Sequence, residues 1–467
     1  MPLLFPWMAH PSPPPSVPEP QTVNLDEAIC TALAHNRRLT HAALGVERGK
    51  LGVASARQEF DISLIPGGGI NTTDGETNWR YGMKAGRKFA WGSELGIGFE
   101  TIRYPAFLDE PWRSAVKVDV RQPLFRNSGR LIHEEPLTAA GEQLAAERRH
   151  WELQKADLIV DVARQFETIL RLMKQADCDE RTLARTERLL ELTRAREQQG
   201  RVSRVDTLRV ELQFGQTQSR RESNQDALFA ARRNLAELLG YPPETELSPA
   251  PSPLPDLEVP PMDAAVQTAL SNRLDYAQAI QDYHAARRGA RIARRRLQPD
   301  ITLVAGNQQY GQSTGFREST ELDRNLWTIG LAGQIDLNQR RDRTAVKVSE
   351  VDVQAARETI AIRAQSIARE VQQGVSSYRQ ARNELVIAGR NYAAADARSE
   401  LARRLFEAGR GDSFSVTDAE NAFSQSESSL LSARADVCVA GFNLLRLMGT
   451  LTEFPLELKP VPLEPAP

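Results

Sequence analysis

Side chains able to do chemistry are sparse in this sequence and poorly spaced for it. His35 and His41 lie six apart, so one helix face cannot offer both to a metal. Cys30, Cys178 and Cys438 are odd in number and far apart, which fits neither a zinc site nor a disulfide framework. They read instead as small buried or half-buried residues on helices. The glycines of GGG at 67–69 are not followed by Lys-Ser/Thr, so they form no phosphate loop. RIARRR at 291–296 is basic but has no aromatic interleaving, and the formal net charge is only −2. A solvated helix face is expected there, and no nucleic-acid partner. No nucleophile–base motif is present. The chain is therefore not expected to be an enzyme, and no cofactor or metal is expected.

What stands out is a repeated stretch, and repeats must be settled before function is read. FEAGRGDSFSVTDAENAFSQSESSLLSARADVCVAGFNLLRLMG, residues 406–449, opens on a Gly-Arg-Gly turn and continues as a long amphipathic helix. Ala419, Phe423, Leu430, Val437, Leu444 and Met448 fall mostly seven apart, which keeps one seam facing a partner helix. The stretch has an earlier copy at 198–240. One constant offset carries Gly200 onto Gly409, Arg201 onto Arg410, Glu211 onto Glu420, Phe214 onto Phe423, Leu235 onto Leu444 and Gly240 onto Gly449. The chain is an internal duplication.

Each copy is preceded by elements in the same order. LDEAICTALAHN from Leu25 and MDAAVQTALSNR from Met262 each begin a pair of short helices. The period then changes from helical to two. Val116, Val118 and Val120 alternate with Lys117, Asp119 and Arg121. Trp327, Ile329, Leu331, Ile335 and Leu337 alternate with Thr328, Gly330, Ala332, Gln334 and Asp336. Further strands fit at 62–72 and 301–310. Two more, at 80–89 and 94–102, occur only in the first half and read as an added hairpin with Trp91-Gly92 at its turn. Such strands suit a half-buried soluble sheet or a tilted membrane strand. Long helices follow. Ile159, Val162, Phe166, Ile169 and Met173 form one seam, and Val353, Ile360, Ile367, Val371, Tyr378 and Leu385 the other. At about 60–70 residues each helix would reach roughly 90–100 Å, more than a compact domain holds.

The expected division is a Pro-rich disordered N-terminus at 1–23 and a first structural repeat at 24–240. Within that repeat, strands occupy about 62–122 and a helical hairpin 136–240. A Pro-rich linker follows at 241–261, then a second repeat at 262–450 with strands at about 301–337 and a hairpin at 341–450. A Pro-rich tail occupies 451–467. No run of eighteen apolar residues predicts a membrane helix, but alternating strands leave a β-barrel open. MPLLFPWMAHPSPPPSVPEPQ has no Lys or Arg ahead of its apolar residues, and no signal peptide is visible in it. About four strands cannot close a barrel, and open edges in hydrocarbon leave backbone groups unpaired at several kcal/mol each. Three copies would supply twelve. The fold class expected is mainly α with a transmembrane β part: duplicated coiled-coil hairpins forming an α-barrel, and a trimeric 12-stranded β-barrel.

LQPDITL, VRQPLF, QQGRVSRVDTLRVE and FEAGRGDSFSVTDAEN, in order with the two short-helix motifs, resemble the TolC-type outer-membrane efflux proteins. The resemblance covers roughly 25–451. It implies a homotrimer in outer-membrane lipid with a periplasmic tunnel, exporting small molecules or proteins. The partners it implies are a periplasmic adaptor and an inner-membrane transporter, in the outer membrane of a Gram-negative bacterium. The rival expectation is a soluble coiled-coil scaffold or periplasmic adaptor with no channel. The resemblance also assigns sites. Asp418 matches an acidic residue lining the pore constriction, and Ser415 and Asp206 stand at related positions. Ser415 is not acidic here, and Gly411 stands where some members carry an arginine that latches the closed state; both departures argue against a latch of that kind. Gly200, Arg201, Arg204, Gly409 and Arg410 form the helix-tip turns and adaptor-docking surface. An Asp on a helix start is also what the helix dipole favours by itself.

Overall fold

The computed structural model describes residues 21–73, 76–104, 109–245, 247–251, 257–335, 337–408 and 410–460. The elements of the first half are β1 (Gln21–Val23), α1 (Leu25–His35), α2 (Arg37–Gln58), β2 (Ser63–Thr73), β3 (Glu76–Lys88), β4 (Glu94–Arg103), β5 (Trp112–Pro123), α3 (Arg130–His133), α4 (Glu135–Gln198) and α5 (Arg204–Leu239). After β6 (Leu247–Pro249) the second half runs α6 (Met262–Asn272), α7 (Leu274–Arg295), β7 (Asp300–Ser313), α8 (Phe316–Ser319), β8 (Arg324–Gln334), α9 (Arg340–Glu407) and α10 (Ser413–Met448). The chain divides into two compact units. One comprises residues 1–43, 149–274 and 364–460, the other 44–148, 275–363 and 461–467.

The first unit is helical. Asn24 caps α1, and the Glu27 carboxylate accepts from the Asn24 N–H, closing a capping box. Asn36 ends α1 and starts α2, its side-chain oxygen accepting from the N–H groups of Arg38 and Leu39. Its amide also donates to the Leu238 carbonyl at the end of α5 (2.9 Å). Leu25, Ala28 and Ala32, one face of α1, are buried with Val162, Phe166 and Ile169 of α4 and Leu235 and Leu239 of α5. Most of the expected seams are buried. Met173, Val353, Leu385 and Leu430 are only half-buried.

Both returning helices end on a left-handed glycine, and both glycines are wedged against the short-helix pair of their own half. A Cβ on Gly240 (φ 79°) would lie 2.5 Å from the His35 carbonyl oxygen. One on Gly449 (φ 67°) would lie 3.0 Å from the Asn272 Cβ. Duplication is thus visible as a repeated close approach that only a residue without Cβ permits.

Short parts of the Pro-rich segments are structured. β1 pairs in parallel with β6 over three residues, fastening residues 21–23 to the segment expected as linker. Phe454 and Leu458, in the segment expected as tail, are buried with Leu274. The rest of the expected N-terminal segment (1–20) and of the tail (461–467) lies outside the described residues. Cys178 and Cys438 are buried as expected, whereas Cys30 is exposed.

The second unit is built on one antiparallel sheet in the order β2-β3-β4-β5-β7-β8. The sequence reading counted about four strands toward the wall, with a hairpin added. The sheet contains six, because β3 and β4 insert between β2 and β5 instead of folding away. Ten residue pairs join β3 to β4 and ten join β4 to β5. The hairpin turn falls at Trp91-Gly92, where Gly92 has φ 98° and the Gly129 N–H donates to the Trp91 carbonyl (3.0 Å). β8 stops at Gln334, so Ile335 and Leu337 lie beyond it, and Asp336 is outside the described residues.

Register decides which side chains share a face. Trp79, Tyr81 and Met83 of β3 stand beside Phe99 and Ile97 of β4, Val118 and Val120 of β5, Leu303 of β7, and Ile329 and Leu331 of β8. These residues are exposed, with Ile329 at 77% and Trp327 at 71%. The opposite face carries Arg80, Lys84, Glu100, Lys117, Asp119 and Arg121. A soluble half-buried sheet covers its apolar face. This sheet leaves most of it open, and α8 covers only the end where Phe316 meets Tyr81 and Trp112 and Ser319 bonds to Ser114.

Candidate functional site at the helix tips

The tip of the first hairpin is a tight reversal. Gly200 adopts φ 67°, its N–H donates to the Glu197 carbonyl (2.8 Å), and the Arg201 N–H reaches back to the Arg196 carbonyl (2.9 Å). This pair of bonds satisfies carbonyls left over at the end of α4. The second tip repeats the outer bond at the matching place, with the Arg410 N–H donating to the Leu405 carbonyl (2.9 Å). Gly409 lies outside the described residues. The tips touch each other. The Arg196 guanidinium lies 4.2 Å from the centroid of the Phe406 ring and donates to the Phe406 carbonyl (3.3 Å).

Each returning helix has its own cap. Ser203 accepts from the Asp206 N–H (3.3 Å), while its hydroxyl donates to the Asp206 carboxylate (2.6 Å). Asp206 also pairs with Arg209 (3.3 Å). Asp412 does the same work on α10, accepting from the Ser415 N–H (3.1 Å). The Ser415 hydroxyl and N–H beside it hold the Asp412 carboxyl below its usual range. Asp206 and Ser415 are therefore first-turn residues tied to helix starts. Arg201 is exposed, and Arg204 pairs with Glu197 (3.6 Å) while remaining 61% exposed.

Asp418 differs from both. It lies a turn deeper on α10, half exposed, and its carboxylate takes a hydrogen bond from Arg398 of α9. An arginine thus neutralises Asp418 within its own hairpin, from a position the sequence reading had not marked. The charge that reading missed is Glu420, two residues on. Its carboxylate is 11% exposed and accepts from the Arg185 guanidinium of α4 (3.1 Å) and the Ser399 hydroxyl (2.9 Å), with Arg403 at 3.7 Å. The duplicate of the Arg403–Glu420 pair is Arg194–Glu211 (2.8 Å), on the more exposed face of the first hairpin. The repeat alignment already matched Glu211 to Glu420; their arginine partners occupy matching places as well, so the signal was present in the sequence.

Deeper along α4 and α10, polar groups are buried between apolar layers. Arg181 donates to Glu427 (3.2 Å) and to the Cys178 sulfur (3.3 Å). Burial, with Glu427 adjacent, pushes the Cys178 thiol up to about 12. Burial likewise pushes Cys438 up to about 12, with Glu167 beside it, and raises the Glu167 carboxyl. Such thiols stay protonated and unreactive. No described group of three His, Cys, Asp or Glu side chains could hold a metal ion.

Two long helical hairpins with an antiparallel sheet make a fold that solved outer-membrane channels share. The chain superposes on the outer-membrane channel OprN with a TM-score of 0.71 at 16% identity, covering 91% of this chain and 89% of that one. The CmeC outer membrane channel of Campylobacter jejuni gives 0.72 at 11% identity, covering 92% and 86%. CusC, a structure described in terms of transmembrane channel formation, gives 0.70 at 17%, covering 91% and 92%. No curated protein gives a sequence match. Residues 265–450 match the family model for outer membrane efflux protein.

Proposed function

We propose that three copies of this chain form an outer-membrane channel of a tripartite efflux or type I secretion system. In this reading the sheet forms the membrane wall and the hairpins a periplasmic tunnel. The channel is passive: substrate moves through an aqueous lumen, and an inner-membrane transporter, joined by a periplasmic adaptor, supplies the drive. The observation that carries the reading is the exposed apolar face of a sheet with two open edges. In hydrocarbon those edges need partners, and sister chains are the ready source. The elements are those of a channel wall and its gate, with no catalytic constellation among the described residues, and we assign the chain no enzymatic role. The rival reading, a soluble coiled-coil scaffold or adaptor, leaves that exposed face unexplained.

The tips form the inner end of the tunnel in this proposal. Asp418 lines the constriction, with Ser415 and Asp206 on the neighbouring helix starts. Gly200, Arg201, Arg204, Gly409 and Arg410 make the turns that the adaptor docks against. Three Asp418 side chains in a narrow lumen would attract cations, and Arg398 offsets each of them. Detergent-extracted protein in planar bilayers is expected to give discrete conductance steps. Arg398→Ala should strengthen block by a multivalent cation, and Asp418→Ala should weaken it. A protein that purifies as a water-soluble monomer without conductance would overturn the channel. Unchanged block in both variants would remove only the constriction role.

A further inference from the structure

We infer that the added hairpin β3–β4 is part of the membrane wall, so that three copies close an eighteen-stranded barrel through pairing of β2 with β8 of the next copy. This rests on the trimeric channel reading above and goes beyond it, because twelve strands would suffice if each chain gave four.

Four observations point the same way. First, β3 is registered against β2 and β4 against β5, so removing the hairpin from the wall would break two ladders, of eleven and ten pairs. Second, an apolar row continues across the insertion: Met83 stands beside Phe99, and Phe99 beside Val116. Polar groups occupy the other face of the same strands, where Arg80 pairs with Glu100 (3.0 Å) and Lys117 with Asp119 (3.8 Å). That alternation is what a strand between lipid and lumen requires. Third, the hairpin spans the sheet from end to end. Tyr81 and Trp112 both contact Phe316 at one end (6.1 and 5.4 Å between centroids). Phe89 stacks on Trp91 at the other (5.1 Å). Aromatic residues at both limits of an apolar band mark the two membrane interfaces. Fourth, the hairpin turn is fastened by the Gly129–Trp91 bond, and a Cβ at Gly92 would collide with the His133 ring. The hairpin is built into the frame of its unit.

The edges suit closure by a second copy. The six strands alternate in direction, so β2 and β8 run oppositely and a copy-to-copy pair is antiparallel. Every residue of β8 is exposed. With strands about 4.8 Å apart and tilted by about 40°, a twelve-stranded barrel has a backbone radius of roughly 12 Å and an eighteen-stranded one roughly 18 Å. The insertion therefore more than doubles the cross-section inside the wall.

Disulfide trapping in the full-length protein distinguishes the arrangements, in a background carrying Cys30→Ser, Cys178→Ser and Cys438→Ser. Gly69→Cys in β2 is combined in turn with Thr328→Cys, Gly330→Cys or Ala332→Cys in β8, all on the polar face. At least one pair is expected to give a covalent trimer on a non-reducing gel. Gly69→Cys with Lys117→Cys, three strands apart across β2-β3-β4-β5, is expected to give none. A β2–β5 disulfide, formed with or without a β2–β8 trimer, would mean the hairpin has left the wall, and the inference fails while the channel stands. Images of the trimer in lipid nanodiscs give a second readout: eighteen strands support the inference and twelve overturn it. A protein that is not trimeric sinks both readings.

Discussion

The two hairpins are copies with the same backbone and different wiring. Both reverse through a tight turn, both restart on a capped helix, and both end on a left-handed glycine. Their conserved ion pair has diverged in setting. Arg194–Glu211 remains a two-partner contact with the arginine 55% exposed, whereas Glu420 has been drawn in among Arg185, Ser399 and Arg403. The difference teaches that duplication holds fixed what the backbone cannot otherwise do, and leaves side-chain electrostatics free to follow local burial.

Substitutions at the terminal glycines should separate the copies most strongly. Gly240→Ala places a methyl against the His35 carbonyl and also forces a left-handed residue. It should cost about 3 kcal/mol, against about 1–2 kcal/mol for Gly449→Ala, where the nearest atom, the Asn272 Cβ, stands 3.0 Å away in place of 2.5 Å. Gly200→Ala meets open space and should cost about 1 kcal/mol. Thermal unfolding of the purified protein in detergent ranks all three; equal costs would show that the two helix ends are not packed differently.

Next in size is the acidic pair. Glu420→Ala leaves Arg185 and Ser399 without their acceptor in a mostly buried position and should cost about 2 kcal/mol. Glu211→Ala should cost less than about 1 kcal/mol, as exposed pairs do. Double-mutant cycles with Arg185 and Arg194 give the two coupling energies directly. A larger value for Arg194–Glu211 would reverse the comparison.

The caps give the smallest contrast, and pH reveals it. Either cap replaced by alanine should cost about 1 kcal/mol. Asp412, however, titrates and Ser203 does not. Its folded-state pKa lies below the ordinary 3.8, so its contribution is complete above that value and is lost as pH falls through the folded pKa. Asp412→Ser, which caps without charge, should flatten that part of the acid limb. Ser203→Ala should lower stability equally across the same range. An unchanged acid slope in Asp412→Ser would mean the cap carries no pH dependence.

Much of this was legible from residue order. The periods of two and of seven placed the strands and long helices, because both elements bury or expose whole faces and so write their geometry into spacing. Gly200 marked a tip turn, whereas Gly240 and Gly449 showed in the sequence only as matched positions of the repeat, their left-handed backbone being set by the close approach to the short helices. Strand order was not legible: Trp91-Gly92 marked a hairpin, but nothing local says whether β3–β4 projects from the sheet or inserts between β2 and β5. Partners of the tip carboxylates were hidden likewise. Arg398 reaches Asp418, and Arg185 reaches Glu420, across helix pairs whose rotation only packing fixes.

The junction between the halves has a consequence of its own. β5 closes the first copy's strands and β7 opens the second's, and twelve residue pairs stitch them side by side. The covalent thread through residues 257–261 is thus a redundant tether. Two separately synthesised fragments, severed there, are expected to pair through that seam, and their co-purification checks it. Such a seam is also how a gene for one half, once doubled, could have been useful before fusion.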